Sequence, residues 1–274
     1  MIDLNTLNIR ARQLRYRIIE TSHRTGTPHL GSCLSCTDLL SVLYFDFLRL
    51  DPSQPAASGR DRFILSKGHA APALFQVLAM RGFYDDSQLS DYGQNGSIFA
   101  EHPPSPACLP GIEAATGSLG HGLPIGLGMA LAARIQTLPY RVVVLVGDGE
   151  CNEGSVWEAA LLAAAQRTSN LCVIVDFNKW QATGRSQTIM AIDPLVDKWA
   201  AFGWNAMEVD GHDHAAIRNA LNCFVGTTDR PTAIVAHTVK GSGVSFMQDD
   251  NNWHYRIPSE EEVRRARAEL RIEA

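Results

Sequence analysis

Between Arg141 and His237 the chain repeats one pattern: a short, continuous run of apolar, often β-branched residues, then a segment of helical spacing. The runs are RVVVLV, LCVIVDF, WNAMEV and TAIVAH, and the segments between them are EGSVWEAALLAAAQR, DPLVDKWAAFG and DHAAIRNALNCFV. Strands apolar on both sides, separated by helices long enough for a crossover, predict a mostly parallel sheet covered by helices on both faces. Upstream, residues 7–22 are spaced as a helix ending near Gly26, and a second helix is expected from Ser35 or Thr37 over DLLSVLYFDFL. RFILS reads as a strand, APALFQVLAMRG as a helix stopped by Gly82, and PIGLGMALAARIQ as a small-residue helix from Leu123. Residues 83–116, rich in Gly, Pro, Ser and Asn, read as a long structured loop, a kind of segment that in a compact domain is usually functional or disordered. The tail SEEEVRRARAEL is a charged helix. With no internal repeat, low-complexity tract or linker, the expectation is an α/β fold in one domain over residues 1–274.

Composition narrows the function classes. A formal charge of −5, with no basic run longer than two residues, leaves no electrostatic footprint for nucleic acid. No apolar stretch approaches the ~20 residues of a membrane span. The start, MIDLNTLNIR, lacks a signal-peptide layout, so a cytoplasmic protein is expected. Six scattered cysteines, at 33, 36, 108, 151, 172 and 223, then read as reduced thiols. Cys33 and Cys36 form a CxxC with His29 nearby, but no second CxxC or HxxxH accompanies it, and GSCLSCTDLL reads as the start of a packed helix.

Two strands end in an unusual way. Asp148 follows RVVVLVG and Asn178 follows LCVIVDF, thirty positions later. In an open parallel sheet ligands sit beyond the carboxyl ends of the strands, so both side chains can reach that rim. One carboxylate and one amide oxygen suit Mg²⁺ or Ca²⁺ and suit zinc poorly. They cannot fill a six-coordinate shell, so phosphates, water or a backbone carbonyl must supply the rest. Gly147 and Gly149 leave bare backbone where a phosphate could approach, and a helix starting near Glu153 would aim its N-terminus there. The plainer alternative is a strand-to-helix turn with Asp148 as N-cap.

GDG with a downstream Asn resembles the metal and diphosphate signature of thiamine diphosphate enzymes. The resemblance implies Asp148 and Asn178 as metal ligands, with the backbone carbonyl of Trp180 as a third. Further blocks are similar to the transketolase family. TPHLGSCLSCTDLL supplies His29, LSKGHAAPAL supplies His69, and EHPPSPACLPGIEAATGSLGHG supplies His102 and the cofactor loop Gly117-Ser118-Leu119. VKGSGVSFMQDDNNWHYRIPSEEE supplies His254. The resemblance implies that His29, His69, His102 and His254 surround the reacting carbon and the sugar, with His69 and His254 also touching the cofactor along with Gly149. Imidazoles suit that task because they move protons near neutral pH and donate to oxyanions. Glu153 matches a carboxylate that relatives place at the subunit interface near the cofactor; the competing reading is a first-turn helix carboxylate. His212 and His214 read instead as a strand-to-helix turn capped by Asp213. Three departures stand out: His121 where Gln is frequent, Leu30 where Pro is, and Tyr255 where Gly is.

In this family the glutamate that activates the aminopyrimidine lies in a second, pyrimidine-binding domain. The sequence resembles only the diphosphate-binding part, so the expectation is the N-terminal subunit of a split transketolase. It would use thiamine diphosphate with Mg²⁺ (or Ca²⁺), act on sugar phosphates, and need a C-terminal subunit in an α₂β₂ assembly. The alternatives are a related thiamine diphosphate transferase serving a non-sugar acceptor or carrier protein, and a cofactor-binding subunit without chemistry.

Overall fold

In the computed structural model, which describes residues 2–273, five strands form one parallel sheet in the order β1-β2-β3-β5-β4. The strands are β1 (Arg62–Leu65), β2 (Val142–Gly147), β3 (Leu171–Phe177), β4 (Asn205–Asp210) and β5 (Thr232–His237). Strand β3 is buried at every position, β2 at all but Gly147 and β5 at all but His237, as expected of central strands. Edge strand β4 is largely half-buried.

Alternate residues serve two cores. Phe63, Leu65, Val143, Leu145, Cys172 and Ile174 face one side, packed on α1 (Leu4–Thr25), α2 (Leu30–Ser35), α3 (Thr37–Val42), α4 (Ala71–Arg81), α9 (His214–Gly226) and α10 (Glu260–Glu269). Ile64, Val142, Val144, Val146, Val173 and Val175 face the other, under α5 (Gly122–Ile135), α6 (Gly154–Ala165) and α8 (Leu195–Ala201). A short α7 (Ser186–Ile189) follows β3. Each fully buried Val, Leu or Ile contributes about 1.5–3 kcal/mol. Small residues let α5 lie close on the sheet: a Cβ at Gly126 would stand 2.5 Å from Val144 Cγ2.

Local chemistry fixes the helix ends. Asp3 accepts from Thr6 N to start α1, and Gly26, in the left-handed region at φ 71°, ends it. Gly82 ends α4 likewise, and Ser259 with Glu262 closes a capping box on α10. The helix expected from Ser35 or Thr37 begins at Thr37 as α3 and runs into a π turn at Leu43–Phe47, and the separate short helix α2 precedes it. Helix α6 starts next to Glu153 as expected, with Glu153 at its N-cap, and a 3-10 turn over Gly149–Asn152 lies between it and Asp148. Residues 83–116 are irregular apart from a 3-10 turn at Asp86–Asp91, and Tyr92, Phe99, Leu109 and Ile112 pin them to the core.

Candidate active site

Beyond the carboxyl ends of β1, β2 and β3 lies a cavity of about 490 Å³. Its lining brings together His29, His69, His102, Gly117, Leu119, Asp148, Gly149, Glu153, Asn178, Trp180 and His254. Ser118 is exposed and is not among the lining residues. A groove of about 590 Å³ between α1 and α4 is larger but holds none of the residues singled out from the sequence.

One end of the cavity is built of oxygen. Asp148 and Asn178 each stand one residue past their strands, and the strands are neighbours. Asp148 is buried and accepts from Lys179 N (3.0 Å) and Ser186 Oγ (2.7 Å), so it does not act as a helix cap. Burial pushes its carboxyl up to about 6, and neighbouring Asp176 adds to the shift, so a cation beside it is favoured. Asn178 Nδ2 lies 3.4 Å from both Ser35 Oγ and Asp176 Oδ2, which assigns the amide orientation. Its Oδ1 accepts from Trp180 N at 3.0 Å.

Beneath this pair lies a charge not singled out from the sequence. Asp176 forms a buried ion pair with Lys67, accepts from Ser35 Oγ (2.6 Å) and is bonded by Thr238 Oγ1. Lys67 Nζ also donates to Ser32 O at 2.8 Å, and its attraction holds the Asp176 carboxyl below the usual range despite burial. The sequence does carry a signal for it: a lone charge inside the apolar run LCVIVDF requires a partner.

The opposite end is built of imidazole. Ring centroids lie 4.8 Å apart for His29–His254, 5.4 Å for His29–His69 and 5.8 Å for His69–His254. His29 caps α2 from a left-handed backbone, φ 74°, and its N–H donates to His254 O at 2.8 Å. For a non-glycine residue that geometry costs about 1–3 kcal/mol and is met mainly where tertiary contacts impose it. Burial lowers His29 to about 4, His254 to about 3 and His69 well below its usual value. All three are therefore neutral near pH 7, each able to donate one proton and accept another. Lys240, also not singled out from the sequence, lies 3.1 Å from His254 Nδ1 and donates to Asn251 Oδ1 at 2.6 Å. Burial, with Lys67 nearby, lowers its ammonium to about 8.

Glycines let the loops meet. A Cβ at Gly68 would fall 2.6 Å from Gly117 N, and one at Gly117, whose φ is 147°, would fall 2.9 Å from His102 Cδ2. Buried Glu150 ties the surroundings together: it bonds Ser66 Oγ and accepts from Gly120 N (2.8 Å) and Gly147 N (3.2 Å). His121 Nδ1 lies 3.0 Å from Leu119 O.

These features fit a metal-bound diphosphate with an attached ring. His29 Nδ1 and Gln181 Nε2, both on cavity-lining residues, are buried without a partner. Among the described residues no three His, Cys, Asp or Glu converge as a metal-binding group, in keeping with a site that takes the remaining oxygens from phosphate and solvent.

His212 and His214 lie outside the cavity. Asp213 caps α9 as expected, accepting from Ala215 N and Ala216 N. Both histidines bond Asp38, at 2.7 and 2.9 Å, with Arg15 on the same carboxylate. Cys33 and Cys36 are fully buried free thiols, and burial pushes Cys36 up to about 12. That is the chemistry of packing rather than of redox work. No helix among the described residues is long and apolar enough to cross a membrane.

Known proteins are similar to this chain in sequence and fold. The family described as transketolase, thiamine diphosphate binding domain, matches residues 8–274. The chain is 38% identical over 269 residues to an apulose-4-phosphate transketolase subunit of Phocaeicola vulgatus, covering 98% of this chain and 95% of that one. It is 37% identical to the 6-deoxy-6-sulfo-D-fructose transketolase subunit SqwG of a Clostridium species, covering 97% of each. Against the transketolase of Homo sapiens it is 36% identical and covers 92% of this chain but 40% of the human one. The crystal structure of transketolase from Campylobacter jejuni superposes with a TM-score of 0.92 at 27% identity, over 98% of this chain and 43% of that one. The chain belongs to the transketolase family, as its thiamine diphosphate binding domain.

Proposed function

We propose that this chain is the diphosphate-binding subunit of a two-subunit transketolase, moving a two-carbon ketol unit from a ketose phosphate or similar anionic ketose to an aldose. The observation that carries the reading is one cavity with a hard-oxygen pair at one end and three neutral, touching imidazoles at the other. Two relatives that are themselves subunits bear the names of anionic ketoses, and this chain covers nearly all of each. Relatives named as subunits imply a partner chain, and in this reading the aminopyrimidine-activating carboxylate lies on a pyrimidine-binding partner subunit in an α₂β₂ complex. We read residues 1–274 as one domain acting in the cytoplasm, where its six free thiols stay reduced.

In this reading Asp148, Asn178 and the Trp180 carbonyl hold Mg²⁺ (or Ca²⁺) against the diphosphate. Gly117, Ser118, Leu119 and Gly149 lie along the cofactor, with His69 and His254 against it. When bound, thiamine diphosphate supplies the nucleophilic carbon that takes up the ketol unit. His29, His69, His102 and His254 donate to the donor's carbonyl and hydroxyl oxygens and carry protons between them. Glu153, exposed at the cavity rim, faces the partner chain.

The test is to purify the chain alone and with the pyrimidine-domain subunit. Alone, it binds thiamine diphosphate in a Mg²⁺-dependent way by calorimetry and turns nothing over; the pair transfers ketol units in a donor and acceptor screen. Asp148→Ala weakens Mg²⁺-dependent binding by about 10–100-fold or more. Full transfer by the lone chain, or unchanged binding by the variant, overturns the reading.

A further inference from the structure

The hairpin that follows Asn178 is fastened from outside the cofactor cavity. Residues 179–186 fold back on themselves: Gln181 N donates to Gly184 O (2.8 Å), Ser186 N donates to Lys179 O (3.1 Å), and Trp180 bridges to Arg185. The inner end touches both oxygen ligands, since Lys179 N donates to Asp148 and Trp180 N to Asn178. Lys179 sits in the left-handed region, φ 68°, a conformation a lysine keeps only when its surroundings impose it.

The outer end meets Asp249. Its Oδ1 accepts from Trp180 Nε1 (2.8 Å), and the two carboxylate oxygens take the Arg185 guanidinium at 2.7 and 2.5 Å. That guanidinium also lies 3.8 Å from the Trp180 ring centroid, forming one stacked, doubly bonded unit. Asp249 is itself in the left-handed region, φ 58°, with its N–H on Lys240 O at 2.8 Å. Asn251 adds a second tie: its Nδ2 donates to Ala182 O (3.0 Å) while its Oδ1 holds Lys240 Nζ. Asp249 thus joins the hairpin under the oxygen ligands to the loop carrying Lys240 and His254.

We propose that Asp249 is a positioning residue that latches the 179–186 hairpin onto the imidazole-bearing loop, so that the metal end and the proton-transfer end of the cavity close as one unit. This role rests on the cofactor assignment made above. Asp249 itself touches neither substrate nor cofactor and acts through Trp180 and Arg185. The Arg185–Asp249 pair is about half exposed, so its effect is on hairpin geometry more than on global stability.

The test compares the full chain with Asp249→Ala and Asp249→Asn, the latter retaining an oxygen for Trp180 Nε1 but losing the charge. Calorimetry with Mg²⁺ is expected to show thiamine diphosphate bound about fivefold more weakly by the alanine variant, with the asparagine variant in between. In the cofactor-free chain, hydrogen exchange should quicken in peptides spanning 179–186 and stay unchanged in β2 and β3. Wild-type affinity in Asp249→Ala, exchange unchanged in the hairpin, or exchange raised evenly through the chain overturns the latch. If the wild-type chain binds no thiamine diphosphate, the cofactor assignment fails, while the exchange comparison still decides whether the latch exists.

Discussion

Position 117 shows how little room the site leaves. Its backbone lies where L side chains are strained, and a methyl group there would press on His102. Gly117→Ala is expected to cost about 1–2 kcal/mol of stability in a denaturant titration and to reduce activity of the assembled enzyme. A fully active, fully stable variant would show that His102 and the loop can shift freely. The residues legible in the sequence are those whose types carry chemistry: the Asp148–Asn178 pair and the four histidines in their blocks. Lys67, Glu150 and Lys240 are not, because their work is to bond other loops, and a partner distant in sequence leaves no local pattern; Asp176 shows only as a lone charge in an apolar run.

Elements are legible where burial sets a period. All five strands and the longer helices fall where apolar spacing places them, within a few residues. The short pieces escape for a physical reason. Helix α2 starts from the left-handed backbone of His29, held by His254 O, and the 3-10 turn after Asp148 is shaped by Glu150 reaching back to Gly147 N and across to Gly120 N. Tertiary contacts, not propensity, set those ends. Glu150 is therefore the element-scale test. Glu150→Gln would turn an N–H toward a site that now accepts from backbone N–H, costing about 2 kcal/mol. Thermal unfolding of the cofactor-free chain should show that loss; an unchanged midpoint would remove Glu150 as the tie between these turns.

At the scale of the whole molecule, the neutral imidazoles make folding sensitive to acid. In the unfolded chain they titrate near 6.5, whereas His29 does so at about 4 and His254 at about 3 in the fold. Between those limits the unfolded chain binds more protons, so stability is fully present above pH 6.5 and is lost as pH falls through 4 and then 3. His29→Asn, which tolerates the left-handed backbone, should lose about 1 kcal/mol less than wild type on going from pH 7.5 to 5, allowing for partial solvent screening. Equal acid sensitivity in chemical-denaturation curves would place the effect elsewhere.

The sheet also explains how the two proposed metal ligands, thirty positions apart, come to neighbouring strand ends. The ladder pairs Gly147 with Asp176 and continues through Asp148 N to Asp176 O, so Asp148 stands beside Phe177 and Asn178 lies one residue farther along the neighbouring strand, about 4.8 Å across and about 3.3 Å along. Residues added to or removed from the crossover containing α6 would leave that gap untouched. A one-residue slip of β3 against β2 would instead turn Asn178 to the opposite face, together with every side chain of its strand, so the clamp and the two cores are held in register by the same ladder.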